Sequence, residues 1–207
     1  MTEILIFQLA VLIFSVMIHE VSHGYVAEYL GDPTARLAGR LTFNPLKHLD
    51  PIGSFVLPVA LWYLTNGQFV FGWAKPVPYN PMNLKDPLAG GAKIAAAGPI
   101  ANFVVAILFG ILFRTMSIFS FAPPFLGELF GIIIFVNILL AIFNLVPIPP
   151  LDGSKVLFAL LPKTETGFRF AAMLERYGMV LVLIFIFFGF ELIMPIINML
   201  FVLIAGR

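Results

Sequence analysis

The chain is dominated by stretches that carry no charge. Ile4–Ile18, Pro51–Ala74, Ile94–Phe113 and Leu129–Val146 contain no Asp, Glu, Lys or Arg, and Gly178–Gly206 contains only Glu191. A helix needs about 20 predominantly apolar residues to cross a bilayer. Backbone inside the hydrocarbon must be bonded within the protein, which restricts what can span it. The expected fold is an all-α polytopic membrane protein in contact with the lipid bilayer. Composition agrees: charged residues make up 11% and apolar residues 60%, against roughly 25% and 45–50% in soluble domains. Soluble, disordered and disulfide-framework classes are thereby excluded. The net charge of +1 supplies no basic field for nucleic acid. There is no Cys, hence no disulfide, thiolate nucleophile or thiolate-bound metal. Any metal rests on His, Asp or Glu, and there are three His.

The first stretch, Ile4 to about Leu30, has neither the basic start nor the small-residue cleavage site of a signal peptide and reads as a retained span. Gly31-Asp32-Pro33 stops it. The second, Pro51 to Ala74, carries Pro51, Gly53, Pro58, Asn66, Gly67 and Gly72. Residues 52–64 suit a short helix, while 68–80, aromatic, β-branched and Pro-interrupted, reads as strand and loop. Segment 36–43 also alternates like a strand. In the third, Ile94 to Phe113, Asp86-Pro87 supplies a cap and first-turn proline. Gly98-Pro99 and Gly110 allow a kink or a close neighbour, here the first helix. The fourth, Leu129 to Val146, ends in Pro147-Ile148-Pro149-Pro150. The tail 178–206, broken at Pro195, is long for one span and short for two. No repeat or linker divides the chain, so it reads as one domain over 1–207, a core at about 4–161 followed by the membrane tail 178–206.

His19-Glu20-Val21-Ser22-His23 follows the apolar run Ile4–Ile18 in the same helix. Residues four apart share a helix face, so His19 and His23 present imidazoles to one metal ion. Glu20 stands beside them as the general base for metal-activated water. Ionisable groups at membrane depth cost roughly 2.5–3.5 kcal/mol each on insertion scales and are generally functional. The bland alternative is a wetted helix end just past the membrane.

Catalytic zinc takes three protein ligands plus water, so a third is needed. Asp152 follows Asn144-Leu145-Val146-Pro147-Ile148-Pro149-Pro150-Leu151 and precedes Gly153, which allows close approach. It suits a metal ligand and equally a cap for a helix starting near Ser154. To share a metal, the exits of the first and fourth stretches must face one side. That requires 51–74 to enter the membrane and return, in agreement with its Pro and Gly content. On that topology one side holds Arg36, Arg40, Lys47, Lys75, Lys85, Lys93, Lys155, Lys163, Arg169 and Arg176, while the opposite loop 118–127 holds no basic residue. The positive-inside rule places the basic side and the mouth of the site in the cytoplasm.

Together HEVSH at 19–23, GRLTFNPLKHLDPIGS at 39–54, FGWAKPVPYNP at 71–81, AAAGPIANF at 95–103 and NLVPIPPLDG at 144–153 resemble the site-2 protease family of intramembrane zinc metalloproteases, in its small form without a PDZ domain. The resemblance runs from about Phe7 to Leu161. It implies a helix bundle with a re-entrant loop and a small membrane-embedded β-sheet in the plasma membrane of a prokaryote. It implies one zinc ion on His19, His23 and Asp152, with Glu20 as catalytic acid/base. It also implies that Asn144 holds the substrate carbonyl or oxyanion, where the residue alone equally suits a helix-to-helix hydrogen bond. His48, in NPLKHLD, is left outside the metal set; a loop histidine bonded to backbone serves as well. The implied substrate is a transmembrane protein, whose helix must unwind locally because its carbonyls are bonded internally. A strand near 68–80 would receive the unwound segment by edge addition. The competing readings are a zinc-binding membrane scaffold or a transporter without proteolysis.

Overall fold

The computed structural model describes residues 2–64, 72, 74–118 and 123–206. Helix α1 spans Thr2–Tyr29 and is followed by Gly31 at φ 103°. The short α2 is Thr34–Leu37. A π-helical turn at Ile52–Val56 leads into α3, Leu57–Leu64. Then come α4, Pro87–Ile118, and α5, Pro124–Asn144. Helices α6, Asp152–Leu160, and α7, Glu165–Ile184, follow; a second π turn, Phe185–Gly189, joins α7 to α8, Phe190–Ala205. Among the described residues four helices are long and apolar enough to cross a membrane: Glu3–Tyr29, Pro87–Ile118, Phe125–Asn144 and the joined helix Glu165–Ala205. The fold is that of a multi-pass membrane protein.

Helix α4 starts as its sequence directs. Asp86 Oδ1 accepts the N–H groups of Leu88 and Ala89, each at 3.0 Å, with Pro87 in the first helical position. Helix α4 packs against α1, α5, α6 and α8. Gly98 lies against α1: a Cβ there would stand 2.5 Å from His19 Nε2. Gly110, in contrast, faces α8 and not α1, where a Cβ would lie 2.4 Å from Ile204. The second half of the 41-residue helix lies on α5 and α4. Phe143 faces Phe185 and Phe190 while Phe135 faces Phe201, so α8 runs antiparallel to α5. Ala106, Ile134, Ile138, Ile193, Ile197 and Ala205 form the apolar core of this seam. At its far end Arg114 donates to the carbonyls of Ile204 (2.9 Å) and Leu203, satisfying acceptors at the end of α8.

Three expectations are corrected. Residues 36–43 form no strand. Asp32 Oδ1 accepts from the Thr34 N–H (3.1 Å) and hydroxyl (2.5 Å) and starts a helical turn. Gly39, at φ 65°, ends it, with Arg40 N–H donating to Ala35 O at 2.9 Å. That local chemistry, a cap and a left-handed stop, overrides the alternation. The expected small β-sheet is likewise absent among the described residues. Of the expected strand 68–80, residues 68–71 and 73 lie outside those described, and 74–80 is extended chain without a ladder. Pro195 does not break the tail, because α8 runs through it; the irregularity is the π turn before α8.

Two polar clips fix the loops beside the site. Buried Asp32 also accepts the Asn80 N–H (2.6 Å) and the Asn83 side-chain amide (2.7 Å). Burial pushes its carboxyl up, but these donors together with Thr34 hold it below the ordinary carboxylate value. The second clip joins the two ends of stretch 51–74. Lys75 N–H donates to His48 O at 2.8 Å, and the buried Arg40 guanidinium donates to Lys47 O, to Lys75 O (2.5 Å) and to Pro76 O (3.1 Å). His48 Nε2 meets Thr42 O at 2.9 Å, so it is a loop histidine bonded to backbone.

Candidate metal centre

His19 and His23 lie on one face of α1, and Asp152 opens α6. Gly153 lets this turn sit close, since a Cβ there would stand 2.2 Å from Leu145 O. His19 Nε2 is 3.0 Å and His23 Nε2 3.2 Å from Asp152 Oδ2. One ligand atom from each residue lies within 4.8 Å of the others. The imidazoles stand edge to face, with centroids 4.7 Å apart. Burial would raise the Asp152 carboxyl, but the imidazoles facing it more than offset this and hold it well below the usual carboxylate range. Asp152 is therefore an anion throughout the physiological pH range.

The other ring nitrogens are fixed from behind. His23 Nδ1 is 2.6 Å from Ile94 O, a group that only accepts, so Nδ1 carries the proton. His19 Nδ1 is 2.6 Å from Asn102 Oδ1. The Asn102 amide has one orientation, because its Nδ2 donates to Ser15 O at 3.2 Å and to Asn137 Oδ1 at 2.9 Å. Asn137 Nδ2 donates in turn to Ser15 Oγ and to Ile133 O, both at 2.9 Å. Asn102 and Asn137 are fully buried. Both histidines thus hold Nδ1–H on the far side of the ring and turn Nε2 to Asp152 Oδ2. Two imidazole nitrogens and one carboxylate oxygen converging in this way are a donor set that could hold a metal ion. Ligand atoms about 2.0–2.1 Å from a tetrahedral zinc stand roughly 3.3–3.4 Å apart, close to the two histidine–aspartate spacings of 3.0 and 3.2 Å, so the donor set fits.

Glu20 is half-buried beside the cluster, and its Oε2 accepts the Val77 N–H at 2.9 Å. Asn144 Nδ2 donates to Leu140 O of its own helix at 2.9 Å. Asn102, Asn137 and Ser15 were not singled out by the motif reading. Their signal was available, as lone polar residues inside apolar spans are seldom idle.

Fold and centre together define a multi-pass membrane protein with a two-histidine, one-aspartate cation site held among α1, α4 and α6. Residues 121–185 match Peptidase family M50, a match that reaches past Leu161 into the tail. YwhC of Bacillus subtilis (strain 168), named as a candidate zinc metalloprotease, is 37% identical over 178 residues, covering 84% of this chain and 76% of that protein. Rip2 of Mycolicibacterium smegmatis, named likewise, is 31% identical over 178 residues, covering 83% and 63%. Zinc metalloprotease MJ0392 of Methanocaldococcus jannaschii is 29% identical over 182 residues, covering 87% and 42%, so this chain spans less than half of it. No solved structure matches. The chain belongs to Peptidase family M50, the site-2 proteases.

Proposed function

We propose that this protein is a zinc-dependent intramembrane endopeptidase that cuts transmembrane segments of membrane-anchored substrates. His19, His23 and Asp152 hold the zinc, and Glu20 is the general acid/base. The observation that carries this reading is the convergence of two imidazoles from α1 and the Asp152 carboxylate from α6, with Nδ1 of each histidine held from behind. The names of the relatives point the same way. Bound zinc supplies a Lewis acid that polarises a peptide carbonyl and acidifies water. Glu20 takes the proton of the attacking water and returns it to the leaving amine, with Oε1 for this task while Oε2 is held by Val77. Asn144 receives the substrate carbonyl or oxyanion by turning its amide from Leu140 O to the site.

Stretch 51–74 is re-entrant, a reading supported by the bond from Lys75 N–H to His48 O, which keeps its two ends together. The basic residues then gather on the side where the site opens, which is the cytoplasm. A substrate helix must unwind to expose a carbonyl, and the unwound segment lies along the chain near 68–80. The whole of 1–207 works as one domain in the plasma membrane of a prokaryote. The test compares membrane proteomes of cells bearing wild-type protein and Glu20→Gln. Fragments cut within a transmembrane segment are expected only with wild type. Identical fragment sets in both would remove Glu20 from catalysis.

A further inference from the structure

The Lys75-Pro76-Val77-Pro78 segment makes one backbone bond to the site. Pro76 and Pro78 carry no N–H, so the Val77 N–H is the sole main-chain donor in residues 76–78. It is given to Glu20 Oε2 at 2.9 Å. The segment is not free to drift. Arg40, 7% exposed, spends its guanidinium on the carbonyls of Lys47, Lys75 and Pro76 and faces no carboxylate among the described residues. A buried cation is costly unless well bonded; Nη1 and Nη2 bond these carbonyls while Nε has no partner among the described residues, and the bond to Pro76 O pins the residue directly before Val77. The helix beneath makes room. Gly24 is one turn on from Glu20, and a Cβ there would stand 2.9 Å from Val77 Cγ1 and 2.5 Å from Leu41 Cδ2.

We infer that Val77, through its main-chain N–H, is a positioning residue for Glu20, with Arg40 holding the segment in place. This rests on the reading of Glu20 as the acid/base. The carboxylate has two oxygens. Anchoring Oε2 fixes the plane and rotamer of the group and leaves Oε1 pointed for proton transfer. A general base must lie within about 2.6–3.2 Å of the proton it takes, so a carboxylate free to rotate loses turnover rather than affinity.

Two measurements on the full chain in detergent micelles test this. Val77→Pro removes the N–H and keeps the backbone extended, while Val77→Ala keeps the N–H and removes the side chain. With zinc-loaded protein and fluorescein-labelled casein as an unstructured substrate, Val77→Pro should lower kcat about tenfold, leaving KM within about twofold and zinc content unchanged. Val77→Ala should stay within about twofold of wild type. Equal losses in both variants, or faster turnover in Val77→Pro, would overturn the inference, the latter making the segment a plug. The second measurement needs no activity. Amide hydrogen exchange at Val77 should quicken about tenfold in Glu20→Ala, as expected for losing a bond to a charged acceptor. Unchanged exchange would also overturn it. Cleavage retained in Glu20→Gln would sink the acid/base reading by itself and leave the exchange result standing.

Discussion

Two of the seams between the spans are built on contrasting principles. Between α5 and α8 the contact is apolar, with Ile134, Ile138, Ile193 and Ile197 at its core and phenylalanines around them. Where α1 meets α4 and α5, the contact contains a chain of polar groups from His19 through Asn102 and Asn137 to Ser15, beside an apolar cluster of Ala27, Leu84 and Ile94. Helices in lipid gain little from the hydrophobic effect, so association rests on close packing and interhelical hydrogen bonds. The apolar seam rests on packing along its length, with the Arg114 bonds to α8 carbonyls only at its end. The polar seam sets one amide orientation and one imidazole tautomer, and so specifies a chemical site. The lesson is that polar residues in this bundle fix geometry more than they add stability.

Substitutions in the two seams should therefore fail in different ways. The largest effect belongs to Gly98→Ala, whose new Cβ would stand 2.5–2.7 Å from three atoms of the His19 ring. His19 cannot retreat while Asn102 holds Nδ1, so zinc affinity should fall about 100-fold or more, read by competition with a chromophoric chelator. Asn102→Leu comes next. It removes the acceptor behind His19 and frees the ring and its tautomer, and zinc affinity should drop about 10–100-fold. Thermal unfolding should change less, because bonds between membrane helices average roughly 0.6 kcal/mol. Ile197→Ala should do the reverse. It opens a cavity in the apolar seam and costs about 2 kcal/mol of stability in detergent unfolding, while zinc affinity stays within about twofold. Equal loss of zinc in Ile197→Ala and Asn102→Leu would erase the distinction between the seams.

The sequence carried the ligands better than their supports. Spacing alone put His19 and His23 on one face, and the Pro-rich lead to Asp152 marked a candidate third ligand that geometry then brought to them. Asn102 and Asn137 were overlooked because their role depends on which helix faces meet, which one-dimensional spacing does not encode. Gly110 shows the same limit, since a small residue announces a close neighbour without saying which one. Alternation at 36–43 misled because Asp32 and Gly39 act over three or four residues and outweigh a period-two pattern. Hydropathy marks the tail only from Gly178, because the charged residues between Glu165 and Arg176 hide its continuity with α7, and Pro195 lies within α8. A proline in a packed helix loses one bond, which need not end it.

The central claim is that His19, His23 and Asp152 jointly hold one zinc ion. The most direct test is zinc stoichiometry on purified full-length protein, wild type against Asp152→Ala, by elemental analysis after dialysis against a weak chelator. About one zinc per wild-type chain and near none for Asp152→Ala are expected, with Glu20→Gln keeping its zinc. Full zinc in Asp152→Ala would contradict the claim and return Asp152 to the start of α6 as a helix-terminal residue.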